Sequence, residues 1–381
     1  MIESTLSFAD LAEEIGATVA APAAGEVDRE ARFPREAAEA MRERGLLSAL
    51  VPVEYGGPGA SVAEISAAVR VLARHCAASA LVLAMHSIDL SNLVRNPTTD
   101  AQIELLRSLP ERPLLFANAN SEVGLGGEAG RSRCAIETVD GAPRLVKEAL
   151  AISYGEYADV VCTVARRTPE SEETDQALAI CRRFELEPLS EWDSIGLRGT
   201  CSRSFRLTAE IDPELVYPGP AAAIFNSGGA QVTLLLLSSV WVGLADAAAA
   251  TAHAYVRAAA RRQIGTIPRS ATRLAELGIE LDRTRDLLEV TSRRLGEALG
   301  TEEIESPALL ASLRSLKIGT SQGAVAVATA ALEICGIAGY KRDSRFSLDR
   351  NLRDALGGLV MVSNDRFLHV NAEMLIARKQ L

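Results

Sequence analysis

Histidine is the side chain whose ordinary pKa lies nearest neutrality, which makes it the first candidate for an acid–base group. The chain has four, at positions 75, 86, 253 and 369. His86 follows the apolar stretch LVLAM and can serve as a base; a hydrogen-bonded histidine at a helix interface is the alternative. None of the four stands at H-x-x-x-H or H-E-x-x-H spacing, and the six cysteines (76, 134, 162, 181, 201, 335) contain no C-x-x-C, so no metal site is indicated. The glycine-rich run SEVGLGGE, Ser121 to Glu128, has backbone N–H groups that can face a phosphate or a carbonyl, or it is a plain turn between strands. There is no Walker loop and no G-x-G-x-x-G after a strand.

These groups must be held by a scaffold, and its texture changes twice along the chain. Residues 1–115 read as helices, with apolar residues at three- and four-residue spacing, Ser61 as an N-cap, Asp28 as a cap before Phe33–Pro34, and Pro34 in a first helical turn. Residues 116–221 carry short β-branched and apolar runs (CAIETV, VVCTVARR, LAICRRFEL, SFRLTAEI) punctuated by Gly, Pro, Asp and Ser. This predicts a small antiparallel β domain. Residues 222–381 return to long helices near 226–262, 269–299, 306–336 and 349–379, which predicts an antiparallel four-helix bundle. The expected fold is mainly α with a β middle domain.

Composition sets outer bounds. A net charge of −10, pI near 5.2 and no Lys/Arg block argue against nucleic acid as a partner. Scattered cysteines fit reduced, mostly buried thiols in a cytoplasmic protein. The N-terminal MIESTLSFADLAEEIG carries acids in place of a basic and then apolar region, so no signal peptide is expected. The run QVTLLLLSSVWVGLA at 231–245 is short for a membrane span and suits a helix buried in a bundle.

Four segments in order carry a resemblance. GLLSALVPVEYGGPGAS (45–61) resembles a G-L-x5-P-x-x-Y-G-G-x-G stretch; GLRGTCS (196–202) resembles a G-x-R-G-T-x-S turn; CGIAGY (335–340) resembles a G-G-x-G-Y turn; and DRNLRDAL (349–356) resembles E-R-x-x-R-D-A. Together they are similar to the acyl-CoA dehydrogenase superfamily over essentially the whole chain. The resemblance implies FAD between the β domain and the helical bundle, with contributions from a second subunit in a homodimer or homotetramer. Ser121, Glu122, Gly126 and Gly127 then match the loop at the flavin and its phosphates, with Gly127 lacking the usual hydroxyl. Ser153 keeps a hydroxyl that can bond a ring nitrogen, while Ala151 replaces an aromatic. Arg261 matches an arginine for the cofactor phosphates of a neighbouring subunit, Gly336 and Ile337 match the glycine turn, and Ser363 and Asn364 match a Gly-Thr pair. Glu333 stands where the family has a glutamine.

The same resemblance exposes a gap. The family's proton-abstracting glutamate falls nine residues past the R-D-A arginine, and here that position is Val362. Its other known placement falls at Leu234 and Leu235, which are also apolar. Candidate replacements are Asp365, which can instead cap the last helix, and His86; Tyr154 and Arg366 are candidates for touching substrate. The implied function is an FAD-dependent oxidoreductase acting on a small CoA or carrier-protein thioester in a specialised biosynthetic pathway, with non-standard chemistry. A flavin monooxygenase or oxidase of the same fold, served by a flavin reductase or other electron partner, and a homologue that has lost FAD are the alternatives.

Overall fold

The structure is a computed structural model that describes residues 6–125, 130–262 and 267–377. Its first region holds α1 (Phe8–Ile15), α2 (Ala21–Glu30), α3 (Arg35–Glu43), α4 (Val62–Ala73), α5 (Ala77–Arg95) and α6 (Asp100–Ser108). Ser61 caps α4 reciprocally: the Glu64 N–H donates to Ser61 Oγ at 3.2 Å, and the Ser61 N–H donates to Glu64 Oε2 at 2.8 Å. Pro34 stands just ahead of α3, and Asp28 is no cap; it lies within α2 and receives Arg353.

The middle region forms two sheets and is not purely antiparallel. Strand β1 (Phe116–Asn118) pairs parallel with β4 (Val160–Arg166), which pairs antiparallel with β5 (Gln176–Cys181). The second sheet runs β2 (Ile136–Val139), β3 (Ala142–Ile152), β7 (Arg203–Glu210), β6 (Arg183–Pro188), all antiparallel. The chain between β1 and β4 crosses over through the β2–β3 hairpin of the other sheet, and a crossover of that length is what a parallel pair requires. Every residue of β5 is buried, whereas β3 alternates buried and exposed, so the first sheet lies inside and the second presents one face outward.

The last region contains α7 (Ala221–Ile224), α8 (Ala230–Arg262), α9 (Ser270–Ala298), α10 (Pro307–Cys335), α11 (Ile337–Tyr340), α12 (Asp349–Val360) and α13 (Asn364–Ala377). The stretch 349–379 is thus not one helix. It breaks at Met361–Ser363, where Val362 has a φ of 52°, the left-handed region that a β-branched residue rarely enters. The α5 helix and the α7–α8 stretch are long and apolar enough to cross a bilayer, but 89% of the apolar 18-residue window in each is buried inside the fold, as in core helices. A continuous apolar core joins Ala12, Leu81, Phe116, Phe205, Trp241 and Ala355, so the changes of texture at 115 and 221 do not separate independent cores.

Polar pins fix α5 to β1. The Phe116 N–H donates to His86 Nδ1 at 3.1 Å, which leaves the ring proton on Nε2, where it is given to the Leu47 carbonyl at 2.6 Å. The Tyr154 hydroxyl donates to the Phe116 carbonyl at 2.9 Å. Asp89 Oδ1 accepts from Asn118 Nδ2 at 3.0 Å, while Oδ2 has no partner among the described residues. Burial raises the Asp89 carboxyl from its ordinary 3.8 to about 7. The folded state therefore keeps a proton that the unfolded chain releases, and stability falls as pH rises between those two values. We expect Asp89→Asn to remove that slope: urea unfolding should show the wild type losing on the order of 3 kcal/mol relative to the variant between pH 4 and pH 7, with the difference level above that.

Candidate functional site

The R-D-A segment and the turn at 192–202 form a single object. Arg353 uses all five of its N–H donors. Nε and Nη2 reach Asp349 at 3.1 and 2.8 Å, Nη1 and Nη2 reach Asp28 at 2.9 and 2.5 Å, and Nη1 also reaches the Ile195 carbonyl at 2.9 Å. Beside it, the buried Asp354 accepts the Leu197 N–H at 2.7 Å. Burial raises the Asp354 carboxyl to about 6, partly opposed by that hydrogen bond. The backbones can meet this closely because residue 196 is glycine; a Cβ there would collide with the Arg353 carbonyl.

Between these two segments lies a cleft of about 560 Å³. Leu81 of α5, Ala151 of β3 and Trp192 form one side, and Leu356, Leu359, Val360 and Met361 from the end of α12 form the other. The Ala151 wall is irregular because the β3–β7 register shifts between Ala149 and Ile152. One edge is polar: Ser153, Ser202 and Thr200 place three hydroxyls in a row, joined at 2.8 Å each. An apolar slot of this volume with a short line of hydroxyls suits a flat ring with polar atoms along one edge.

The sequence candidates divide around this cleft. Ser153 lines it. Ser121 stands one layer behind, accepting the Ala151 N–H at 3.2 Å and donating to the Ala151 carbonyl at 3.3 Å. Gly126 and Gly127 lie outside the described residues. Glu122 corrects its expected cofactor role, since its buried carboxylate holds the chain at Ser132, Arg133 and Cys134 through contacts of 2.8 to 3.2 Å. His86 is 1% exposed with both ring nitrogens engaged, and burial lowers it to about 4; it is a neutral interface histidine outside the cleft lining. Tyr154 points into the core at the same interface and does not line the cleft.

The end of the chain brings further corrections. Asp365 and Arg366 are exposed in the first turn of α13 and do not line the cleft. Ser363 is exposed in the turn before it. Asn364 is turned inward, where its Oδ1 accepts from Lys317 Nζ at 2.7 Å and its Nδ2 donates to Ser321 at 3.1 Å. Lys317 also donates to the Gly358 carbonyl at 3.0 Å, so a buried lysine grips both ends of the 359–363 wall. Burial lowers this lysine to about 8. Sequence reasoning missed it; its signal was the single lysine of α10. Thr200 and Ser202 were missed as site residues too, although they sit within the G-x-R-G-T-x-S turn.

Arg261 lies elsewhere, with Arg257 and Arg345, along a groove of about 550 Å³ beside Phe346, a cationic surface suited to phosphate. Gly336, with a φ of 54°, ends α10, and Ile337 is 73% exposed beyond it. Glu333 pairs with Arg273 at 3.5 Å and so does not stand as an isolated charge. A larger cleft of about 960 Å³ lies between α4, α8 and α9. It contains none of the candidate residues, and its central Asp246 is already held by Arg70 and Arg285 at 2.7 Å each.

Two family models match the chain: the acyl-CoA dehydrogenase N-terminal domain over residues 3–109 and the acyl-CoA dehydrogenase C-terminal domain over residues 231–360. Over 351 residues the chain is 26% identical to an acyl-CoA dehydrogenase of Bacillus subtilis (strain 168), covering 88% of each. It is 25% identical to a 3-sulfinopropanoyl-CoA desulfinase of Paraburkholderia xenovorans (strain LB400), covering 88% of this chain and 86% of that one. Among solved structures it is similar to the FMN-bound dibenzothiophene monooxygenase of Paenibacillus sp. A11-2, with a TM-score of 0.86 at 19% identity over 98% of both chains.

Two variants test this geometry. Lys317→Met leaves the Gly358 carbonyl and Asn364 Oδ1 without their donor, and should cost about 1–3 kcal/mol in urea unfolding. Gly196→Ala forces the turn away from Arg353 and should cost about 1–3 kcal/mol, again by urea midpoint.

Proposed function

The chain belongs to the acyl-CoA dehydrogenase superfamily, and from that membership we propose that it is a flavin-dependent oxidoreductase whose cleft works without a general base of its own. One observation carries this. Among the described residues lining the cleft there is no Asp, Glu, His, Lys, Cys or Tyr, and the single cation, Arg353, has every donor occupied. Abstraction of an α-proton needs a carboxylate or imidazole within hydrogen-bond reach, tuned near the working pH. Val362, Asp365 and His86 do not supply one at the cleft. The reading best supported is therefore a monooxygenase or oxidase in place of α,β-dehydrogenation. A desulfinase among the relatives and a monooxygenase among the structural neighbours support a family whose members differ in chemistry.

The flavin supplies two-electron chemistry and, once reduced, reactivity toward oxygen. The protein's own groups bind and screen. Ser153, backed by Ser202 and Thr200, would hold the polar edge of a flavin ring, and Trp192, Leu81, Met361 and Val360 would keep water out of the cleft. The apolar walls favour a small acyl or ring-bearing substrate, free or as a CoA or carrier-protein thioester. FAD is the form assigned here, with Arg261, Arg257 and Arg345 as the phosphate-binding surface for a partner subunit's cofactor. Exposed Ile337, Tyr340 and Ile376 support a homodimer or homotetramer that covers them. A flavin reductase or another electron carrier completes the cycle.

Purified protein incubated with FAD and desalted should retain flavin absorbance; a colourless protein overturns the flavin assignment. Anaerobic addition of acyl thioesters should leave the flavin oxidised, whereas a reductase with NAD(P)H should bleach it, with oxygen uptake on mixing with air. Bleaching by a thioester alone would overturn the base-free reading. Asp365→Asn should change turnover by less than about twofold, as expected of an exposed residue away from the cleft.

A further inference from the structure

The three hydroxyls along the cleft edge form a chain with a direction. Thr200 Oγ1 lies 2.9 Å from the Leu197 carbonyl oxygen, Ser202 Oγ lies 2.8 Å from Thr200, and Ser153 Oγ lies 2.8 Å from Ser202. Each hydroxyl has one proton to give, and a carbonyl oxygen has none. The contact at Leu197 therefore takes the Thr200 proton, since without it two sets of lone pairs would face each other at 2.9 Å. The same carbonyl accepts the Thr200 N–H at 3.0 Å and the Trp192 indole at 3.3 Å, but neither relieves that oxygen–oxygen contact.

The rest follows by counting protons. Thr200 has only lone pairs left for Ser202, so the Ser202 proton points at Thr200. Ser202 then has only lone pairs left for Ser153, so the Ser153 proton points at Ser202. What Ser153 offers the cleft is a lone pair. Each link polarises the next, which strengthens the acceptor at the open end. The closed end is firm, because Thr200 is buried and the Leu197 N–H is held by Asp354 at 2.7 Å.

We propose that Ser153, fixed as an acceptor by Ser202 and Thr200, selects a ligand atom that carries a proton, and that this atom is the ring nitrogen protonated when the flavin is reduced. The assignment to flavin rests on the function proposed above; the polarity of the chain does not. Two-electron reduction puts a proton on that nitrogen, which can then donate to Ser153. In the oxidised ring the same atom has a lone pair and meets another. The chain thus favours the reduced cofactor, the form that an oxygen-using enzyme must hold until oxygen arrives. Ser202 and Thr200 are positioning residues in this account, acting only through Ser153.

The test compares dissociation constants of oxidised FAD and of anaerobically reduced FAD for the wild type, Ser202→Ala, Thr200→Val and Thr200→Ser. The wild type should bind reduced FAD at least tenfold more tightly. Ser202→Ala and Thr200→Val each release the Ser153 proton toward the cleft and should reduce that preference about tenfold, equivalent to about 30 mV in the two-electron potential. Thr200→Ser restores the proton and should restore the wild-type ratio, which a merely structural role for Thr200 would not require. Folded variants, matched to wild type in melting temperature, that bind flavin with an unchanged ratio would overturn the proposal. A wild type that binds neither form would instead remove the flavin reading itself, a result separate from an unchanged ratio.

Discussion

The site depends on two adjacent residues being used for attachment. Arg353 joins α2, α12 and the 192–202 turn through carboxylates and a carbonyl, and Asp354 fixes the backbone of Leu197. A guanidinium suits this place because its five donors are coplanar and fan outward, so one side chain can serve three segments. Everything the cleft offers follows from that junction. The Leu197 carbonyl that orders the hydroxyls is in the fixed turn, and the apolar wall is the continuation of the fixed helix. Losing one partner here would leave a partly buried charge uncompensated, which costs far more than an exposed pair of the same length.

Much of the fold was legible because its signals are local. Apolar spacing marked α4, α5, α8, α9 and α10, and Ser61 marked a cap that the structure makes with Glu64. The parallel pairing of β1 with β4 was not legible, since partner choice in a sheet is set by the path of a crossover and not by strand composition. The break at Met361–Ser363 showed only through Asp365 as a cap for the last helix. Neither Gly nor Pro marks it, and Val362 takes a positive φ that its side chain disfavours.

Site residues were legible where a motif fixed both type and depth. Ser153, singled out by its segment, is a cleft-lining residue. His86, Tyr154 and Glu122 were attractive as chemical groups, yet each satisfies backbone donors or acceptors at an interface, a use that residue type does not reveal. Asp365 and Asn364 are neighbours on one turn, but only Asn364 faces inward, because Lys317 supplies a donor there. A buried lysine with neutral acceptors is a tertiary fact. It becomes visible only once α10, α12 and α13 are brought together.

Val362 closes the comparison from the other side. Its backbone stays in the left-handed region although no functional side chain requires it, between two anchors that a single lysine holds at Gly358 and Asn364. A β-branched residue there carries a standing cost on the order of 1–3 kcal/mol, borne by the packing around it. The wall of the cleft accordingly carries stored strain at its end. Free energy needed to open it is smaller by the amount already stored, so fluctuations of the cleft wall can outpace those of the bundle behind it. A ligand then has a way in that does not require the core to move.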